Sequence, residues 1–253
     1  MTGPGIATVV ARLRAAGCVD AEQEAAAYVG AAPDPATLDG WLTRREDGEP
    51  VAWILGTVTF AGEPLRIDRG VYVPRRQSED LARRAAAQLP DGGRALDLCT
   101  GAGAIAAHLQ RVRPAARVVG VDRDEAAARC ARSNGVAAVV GDLATAIRGD
   151  GTWDLVTAVA PYVPSGELRL LPADVQRHEP RTALDGGADG LDLVRRVVVA
   201  SARLLRGGGR LLTEVGGTQD EALGAVLTTY GFDTVVPWHD ADGDLRGIEA
   251  RRS

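Results

Sequence analysis

The chain has 253 residues, 45% of them hydrophobic and 25% charged, the balance of a folded domain of ordinary size with a small appendage rather than of a disordered chain. Its net charge of −5, with no basic stripe, argues against a nucleic-acid partner. No apolar run approaches the roughly 20 residues of a membrane span, and MTGPGIATVVARLRAAG lacks the basic start, apolar block and cleavage site of a signal peptide, so the cytosol is the expected compartment.

In chain order, residues 5–47 read as short helices. Ile6, Val9, Val10, Leu13 and Ala16 keep helical spacing, as do the stretches 21–29 and 37–45, with Pro33 and Pro35 as punctuation. Residues 51–73 change character: VAWILGTVTF, AGEP and LRIDRGVYV predict a β-hairpin with a glycine-containing turn. After Pro74 a helix is expected over 79–89. The boundaries therefore fall at a helical cap (1–48), a hairpin linker (49–78) and a main domain (79–253).

From Arg94 the rhythm is strand, glycine, helix. Strands are predicted at RALDLC, ARVVGVD, AAVV, WDLVTAV and RLLTEV, with helices at 104–113, 125–133, 191–205 and 219–230. DTVVPW and RGIEA form a terminal pair. Alternating βα units imply an α/β, Rossmann-like, doubly wound and mostly parallel sheet, which takes its ligand at the C-terminal ends of the strands.

Three of those ends carry a consistent pattern. RALDLC runs into DLCTGAGAIA, where Gly101 and Gly103 let the backbone approach a ligand and the next helix offers free N–H groups. The strand ARVVGVD ends at Asp122, 19 residues after Gly103, a spacing that suits a carboxylate on ribose hydroxyls. AAVV ends in Gly141-Asp142-Leu143, one polar and one apolar contact for an adenine. The glycines alone also fit a nicotinamide-dinucleotide loop. Asp97 argues otherwise: a carboxylate here repels a pyrophosphate but suits the cationic amino group of S-adenosylmethionine. The bland alternative is a turn with surface acids.

All 29 basic residues are arginine, which excludes any lysine-dependent chemistry. Cys18, Cys99 and Cys130 are scattered without metal-ligand spacing, so no metal is expected. Cys99 reads as a small buried hydrophobe rather than a nucleophile. The chain holds a single Asn, Asn134.

GEPVAWILGTVTFAGEPLRIDRGVYVPRRQSED, ALDLCTGAGAIA, HEPRTALDGGADGLDLVRR and LRGGGRLLTEVG stand in an order that resembles the protein-(glutamine-N5) methyltransferases acting on peptide chain release factors, the HemK/PrmC group. The resemblance covers residues 50–253. It implies a seven-stranded class I methyltransferase domain with S-adenosylmethionine as cofactor. It also implies a cofactor pocket from Asp97, Thr100, Gly101, Gly103, Asp122, Arg123, Asp142 and Leu143.

The acceptor motif departs from that pattern. The family places Asn-Pro-Pro-Tyr after the fourth strand of its sheet, and its Asn oxygen with a backbone carbonyl orients the substrate amide. Here the segment is Val159-Ala160-Pro161-Tyr162. Ala160 keeps the carbonyl, but Val159 has no acceptor at all. Losing one positioned acceptor costs about 3–4 kcal/mol, two to three decades in rate. The cap is also shorter than the family's release-factor-docking bundle.

The acceptor is therefore expected to be a protein glutamine or a small metabolite, with a carboxylate giving a methyl ester as the sharpest form. Arg75 or Arg76 would then act as the clamp on the anion, unless they form a solvated turn. Tyr72 and Tyr162 line the acceptor or fill the core. His178 with Glu179 is a base–carboxylate pair or framework, and His108 and His239 read as solvated or packed. The competing function is a non-catalytic, cofactor-binding protein that works through protein contacts.

Overall fold

A computed structural model describes residues 5–253; the first four residues of the expected cap lie outside the described residues. Helices α1 (Ile6–Ala15), α2 (Ala21–Ala31) and α3 (Pro35–Glu46) form the cap. Asp34 starts α3 by accepting from the Thr37 N–H, with Pro35 at the first helical position. Val9, Leu13, Ala25, Tyr28, Leu38 and Leu42 make a cluster of their own.

The linker differs from expectation. Val51–Leu55 is a helix, α4, started at Pro50 and stopped by left-handed Gly56. An apolar run of five fits strand or helix equally by pattern, and packing on two sides decides it. Ile54 joins the cap cluster, whereas Ala52 and Trp53 join the main core. The Trp53 indole donates to the Val71 carbonyl at 2.9 Å. The hairpin is only β1 (Thr57–Phe60) and β2 (Glu63–Arg66), and Ala61 and Gly62 both take positive φ in its turn. Residues 67–73 run on without a ladder.

Helix α5 (Ser78–Gln88) leads into β3 (Arg94–Leu98), α6 (Ala104–Val112), β4 (Arg117–Asp122), α7 (Glu125–Ser133) and β5 (Ala137–Val140). The second half is β6 (Trp153–Ala158), the short α8 (Ala173–His178), α9 (Asp192–Leu204), β7 (Leu205–Glu214), α10 (Gln219–Thr229), β8 (Phe232–His239) and β9 (Leu245–Arg252). The predicted βα alternation is present. Strand β7 starts earlier than RLLTEV, taking in three glycines, and α8 was not anticipated.

The seven strands run β5-β4-β3-β6-β7-β9-β8, with β9 antiparallel to both neighbours. Strand order reverses between β3 and β6, so a crevice opens at their C-terminal ends. One sheet face packs Ala95, Leu155 and Leu212 with α5, α6 and α7; the other packs Leu96, Leu98, Val156 and Leu211 with α9 and α10. No helix of the described residues is long and apolar enough to cross a membrane.

The sole Asn closes α7 and pins the linker to the crevice. Asn134 Oδ1 accepts from the Arg66 N–H at 2.9 Å, and Nδ2 donates to the carbonyls of Arg66 and Ala102 at 2.9 and 2.8 Å. Its amide is thereby fully committed at the base of the glycine loop.

Candidate active site

The loop after β3 is built around one buried carboxylate. Asp97 is 1% exposed and accepts from the hydroxyls of Thr157 and Thr100 at 2.7 and 2.6 Å. Burial pushes its pKa up to about 6 against those two hydrogen bonds. Thr100 thus reaches the cleft as a support for Asp97. Cys99 stands between them with φ at +55°, a left-handed conformation a non-glycine residue adopts at a cost of about 1 kcal/mol. Burial also pushes its thiol pKa up, which removes the thiolate a nucleophile needs.

The two glycines differ in purpose. At Gly101, φ is +56° and an added Cβ would meet nothing within 4 Å, so the space above the loop is open to a ligand. At Gly103 an added Cβ would lie 2.9 Å from a Val136 methyl and 3.1 Å from that of Ala131. Gly103 therefore packs the loop on α7 and does not border the cleft.

Asp122, at the end of β4, accepts the Gly101 N–H through Oδ2 and the Asp124 N–H through Oδ1, both at 2.9 Å. Each oxygen keeps a lone pair for a further donor. The cleft around it is also bordered by Arg123, Asp142, Leu143, Val121 and Leu193. Asp142 spends one oxygen on Arg196 of α9 at 2.6 Å. A second arm of the cleft runs past Asp97, Thr100, Ser78 and Ile105.

Tyr72 and Val159 border both arms and a third cavity, which continues past Arg76, Pro161, Tyr162, Leu171 and Asp174. The two arms meet the third cavity at this pair. The two arginines expected at the mouth have different fates. Arg75 Nη2 donates to Glu179 Oε1 at 2.5 Å, with the Glu179 side chain 1% exposed, and its guanidinium lies 4.9 Å from the Tyr72 ring centroid. Its charge is compensated within the protein. Arg76 enters no ion pair among the described residues. Asp174, across the cavity, has Arg45 only at 4.0 Å.

Tyr162 receives a hydrogen bond from Gln77 Nε2 at 2.8 Å on its hydroxyl, and its backbone carbonyl accepts from Gln219 at 2.9 Å. His178 packs edge-on against Trp53, and its Nε2 lies 3.3 Å from the Asp47 carbonyl. His178 therefore ties α8 to the cap and linker, while Glu179 is committed to Arg75. His108 contacts Arg111 on α6, and His239 is exposed on β8. Sequence reasoning missed Gln77, Ser78 and Glu214; the signal for Glu214 is an acid at the C-terminal end of the predicted strand RLLTEV.

The sheet order, the acid-flanked glycine loop and the carboxylate closing β4 define a class I S-adenosylmethionine-dependent methyltransferase, and the description "Methyltransferase domain" matches residues 95–178. A release factor glutamine methyltransferase of Mycolicibacterium smegmatis is 36% identical over 232 residues, 87% of this chain and 82% of that one. The chain belongs to the release factor glutamine methyltransferase family. A Streptomyces pristinaespiralis protein named 4-amino-L-phenylalanine/4-methylamino-L-phenylalanine methyltransferase is 38% identical over 213 residues, 79% of this chain and 73% of that one. In fold, the ribosomal protein L11 methylase of Lactobacillus delbrueckii subsp. bulgaricus superimposes with a TM-score of 0.54 at 14% identity, covering 75% of this chain and 86% of that one.

The cleft fits S-adenosylmethionine, which supplies an electrophilic methyl group on a sulfonium. A buried carboxylate lies along the arm a cationic amino acid would fill, and Gly101 leaves room above the loop. Asp122 retains acceptor capacity that would serve the ribose hydroxyls.

Proposed function

We propose that this methyltransferase acts on a nitrogen at the side-chain end of a small amino-acid-like acceptor. The observation that carries this reading is the division of charge around the acceptor cavity. Arg75, the cation nearest Tyr72, is already neutralised by Glu179, while Arg76 and Asp174 lie farther out. A carboxylate brought to Val159 would find an apolar wall and no free cation. A carboxylate on Arg76 and an ammonium on Asp174 would instead leave the far end of the molecule against Val159 and Tyr72. This shifts the expectation from a methyl ester to a methylated nitrogen.

In this reading the catalytic part is 79–253, the linker (49–78) walls the acceptor cavity, and the described part of the cap (1–48) packs on Ile54 of the linker. Asp97, supported by Thr100, faces the cationic amino group of the cofactor. Gly101 and the packing of Gly103 shape the loop, Asp122 beside Arg123 takes the ribose, and Asp142 with Leu143 flanks the adenine. Val159, Ala160, Pro161, Tyr162 and Tyr72 wall the acceptor, and Arg76 anchors it. A flat, partly apolar side chain suits those walls. The names of both families of relatives, glutamine and 4-amino-L-phenylalanine methyltransferases, support an amino-acid acceptor. Without an Asn at position 159, the glutamine of a release factor lacks one of its two amide acceptors, which favours the smaller molecule.

The test is methyl transfer from labelled cofactor to 4-amino-L-phenylalanine, to a Gly-Gly-Gln peptide and to a panel of dicarboxylates. Base-stable label on the amino acid that falls at least tenfold in Arg76→Ala supports the proposal. Base-labile label on a dicarboxylate overturns it in favour of an ester, and efficient labelling of the peptide overturns it in favour of a protein acceptor.

A further inference from the structure

Beneath the acceptor cavity lies a carboxylate that the assignment above leaves unused. Glu214 is the last residue of β7, one position past Thr213, the ladder partner of Ala158. It is 2% exposed, and its Oε1 has no hydrogen-bond partner. Burying an acid this way costs several kcal/mol unless something uses it. What surrounds it is directional. The polar groups that face it are Ser78, the first residue of α5, the preceding Gln77 and the hydroxyl of Tyr162. The eleven-residue α5 also turns its positive end toward this corner.

Gln77 fixes the sense of the hydrogen bonds. Its Nε2 donates to Tyr162 Oη at 2.8 Å, so the tyrosine's own proton is free to point at Glu214. Tyr162 then presents a remaining lone pair to the acceptor cavity that it lines. The geometry points to Glu214 as the proton acceptor of the methyl-transfer site, reached through Tyr162.

This rests on the nitrogen acceptor proposed above. A nitrogen that gains a fourth substituent becomes cationic and must release a proton. That proton passes to Tyr162 Oη as the tyrosine's original proton moves to the Glu214 carboxylate, leaving a neutral amine, a neutral tyrosine and a protonated Glu214. Solvent then resets the acid between turnovers. The groups that bias it are Tyr162 after β6, Tyr72 after the hairpin and Arg246 on β9, with the neutral Gln77 and Ser78 at the start of α5, whose first turn also carries Glu79 and Asp80. Burial raises the Glu214 pKa, which brings the acid toward the pH at which a proton acceptor works.

Two arms on the full-length protein separate this proposal from the acceptor assignment. Infrared difference spectra of wild type against Glu214→Gln, with no acceptor added, should show one carboxyl titrating above the ordinary glutamate range. Tyr162→Phe removes a donor to the carboxylate and should move that titration further up. A Glu214 that titrates in the ordinary range, or is indifferent to Tyr162→Phe, overturns the proposal. In the kinetic arm, with 4-amino-L-phenylalanine as probe, Glu214→Gln should lower kcat about 100-fold and erase the acidic limb of the pH–rate profile. KM and the affinity for S-adenosylhomocysteine should stay within twofold. Full rate with an unchanged limb overturns it. If wild type leaves the probe unmethylated, the acceptor assignment fails and the infrared arm alone decides Glu214.

Discussion

Arg75 donates to Glu179 at 2.5 Å across 104 residues of sequence, joining the segment after the hairpin to the segment after α8. The pair takes one of the two arginines that line the acceptor cavity out of play and braces the Tyr72 ring. Burial pushes the Glu179 pKa up while Arg75 pulls it down. Glu179 is buried and Arg75 only half-buried, so removing Arg75 leaves a buried, unpaired carboxylate, at about 3–5 kcal/mol. Arg75→Met should therefore lower unfolding stability by about 3 kcal/mol, and adding Glu179→Ala should recover most of it. Denaturant titration of the single and double variants checks this; equal losses in both would show that the pair is not coupled.

Asp97 makes stability and cofactor affinity respond to pH in opposite senses. Burial raises its pKa from 3.8 to about 6. Below that window the group is protonated in both folded and unfolded chains and costs nothing. Between 3.8 and about 6 the unfolded chain ionises first, so the stability of the unliganded protein falls as pH rises and then levels off. A cationic ligand needs the ionised form, so affinity for S-adenosylhomocysteine should rise through about pH 6. Calorimetry at several pH values should find that Asp97→Asn flattens this rise and weakens binding at neutral pH. A parallel rise in the variant would assign the effect to another group.

Asn134 holds the linker with three hydrogen bonds to backbone groups, each worth about 0.5–1.5 kcal/mol. Asn134→Ala should cost about 2 kcal/mol and expose the Arg66 amide to exchange. Hydrogen exchange that speeds up only on α7 would contradict the pinning role.

The turn of the hairpin carries a correctable strain. Ala61 sits at φ +49°, where a Cβ costs about 1 kcal/mol. Ala61→Gly should raise the Tm by a few degrees without changing cofactor binding, whereas an unchanged or lower Tm would show that the turn is not strained.

What could be read from the sequence is what local chemistry encodes. The glycine loop with Asp97, and Asp122 at the end of the next strand, stand at strand ends that the sequence pattern marks, and the structure brings them to one cleft. The acceptor side was less legible. VAWIL is a strand or a helix until Ile54 and Trp53 are seen facing two different clusters. Arg75 and Arg76 are identical neighbours in the chain, and only a glutamate 104 positions away tells them apart. The single Asn of the sequence, Asn134, gives no sign there of its partners, the backbone groups of Arg66 and Ala102. Glu214 left no trace beyond its polarity, because its meaning depends on where α5 and the loop after β6 arrive.

The central claim is that Val159 directs the enzyme away from a peptide glutamine and toward the nitrogen of a small amino acid. Competitive labelling measures this in one experiment, with wild type and Val159→Asn each given 4-amino-L-phenylalanine and a Gly-Gly-Gln peptide together. Wild type should place base-stable label on the amino acid, and Val159→Asn should shift the ratio toward the peptide by about two decades, the worth of one positioned acceptor. Preferential labelling of the peptide by wild type, or a ratio unmoved by the substitution, would contradict it.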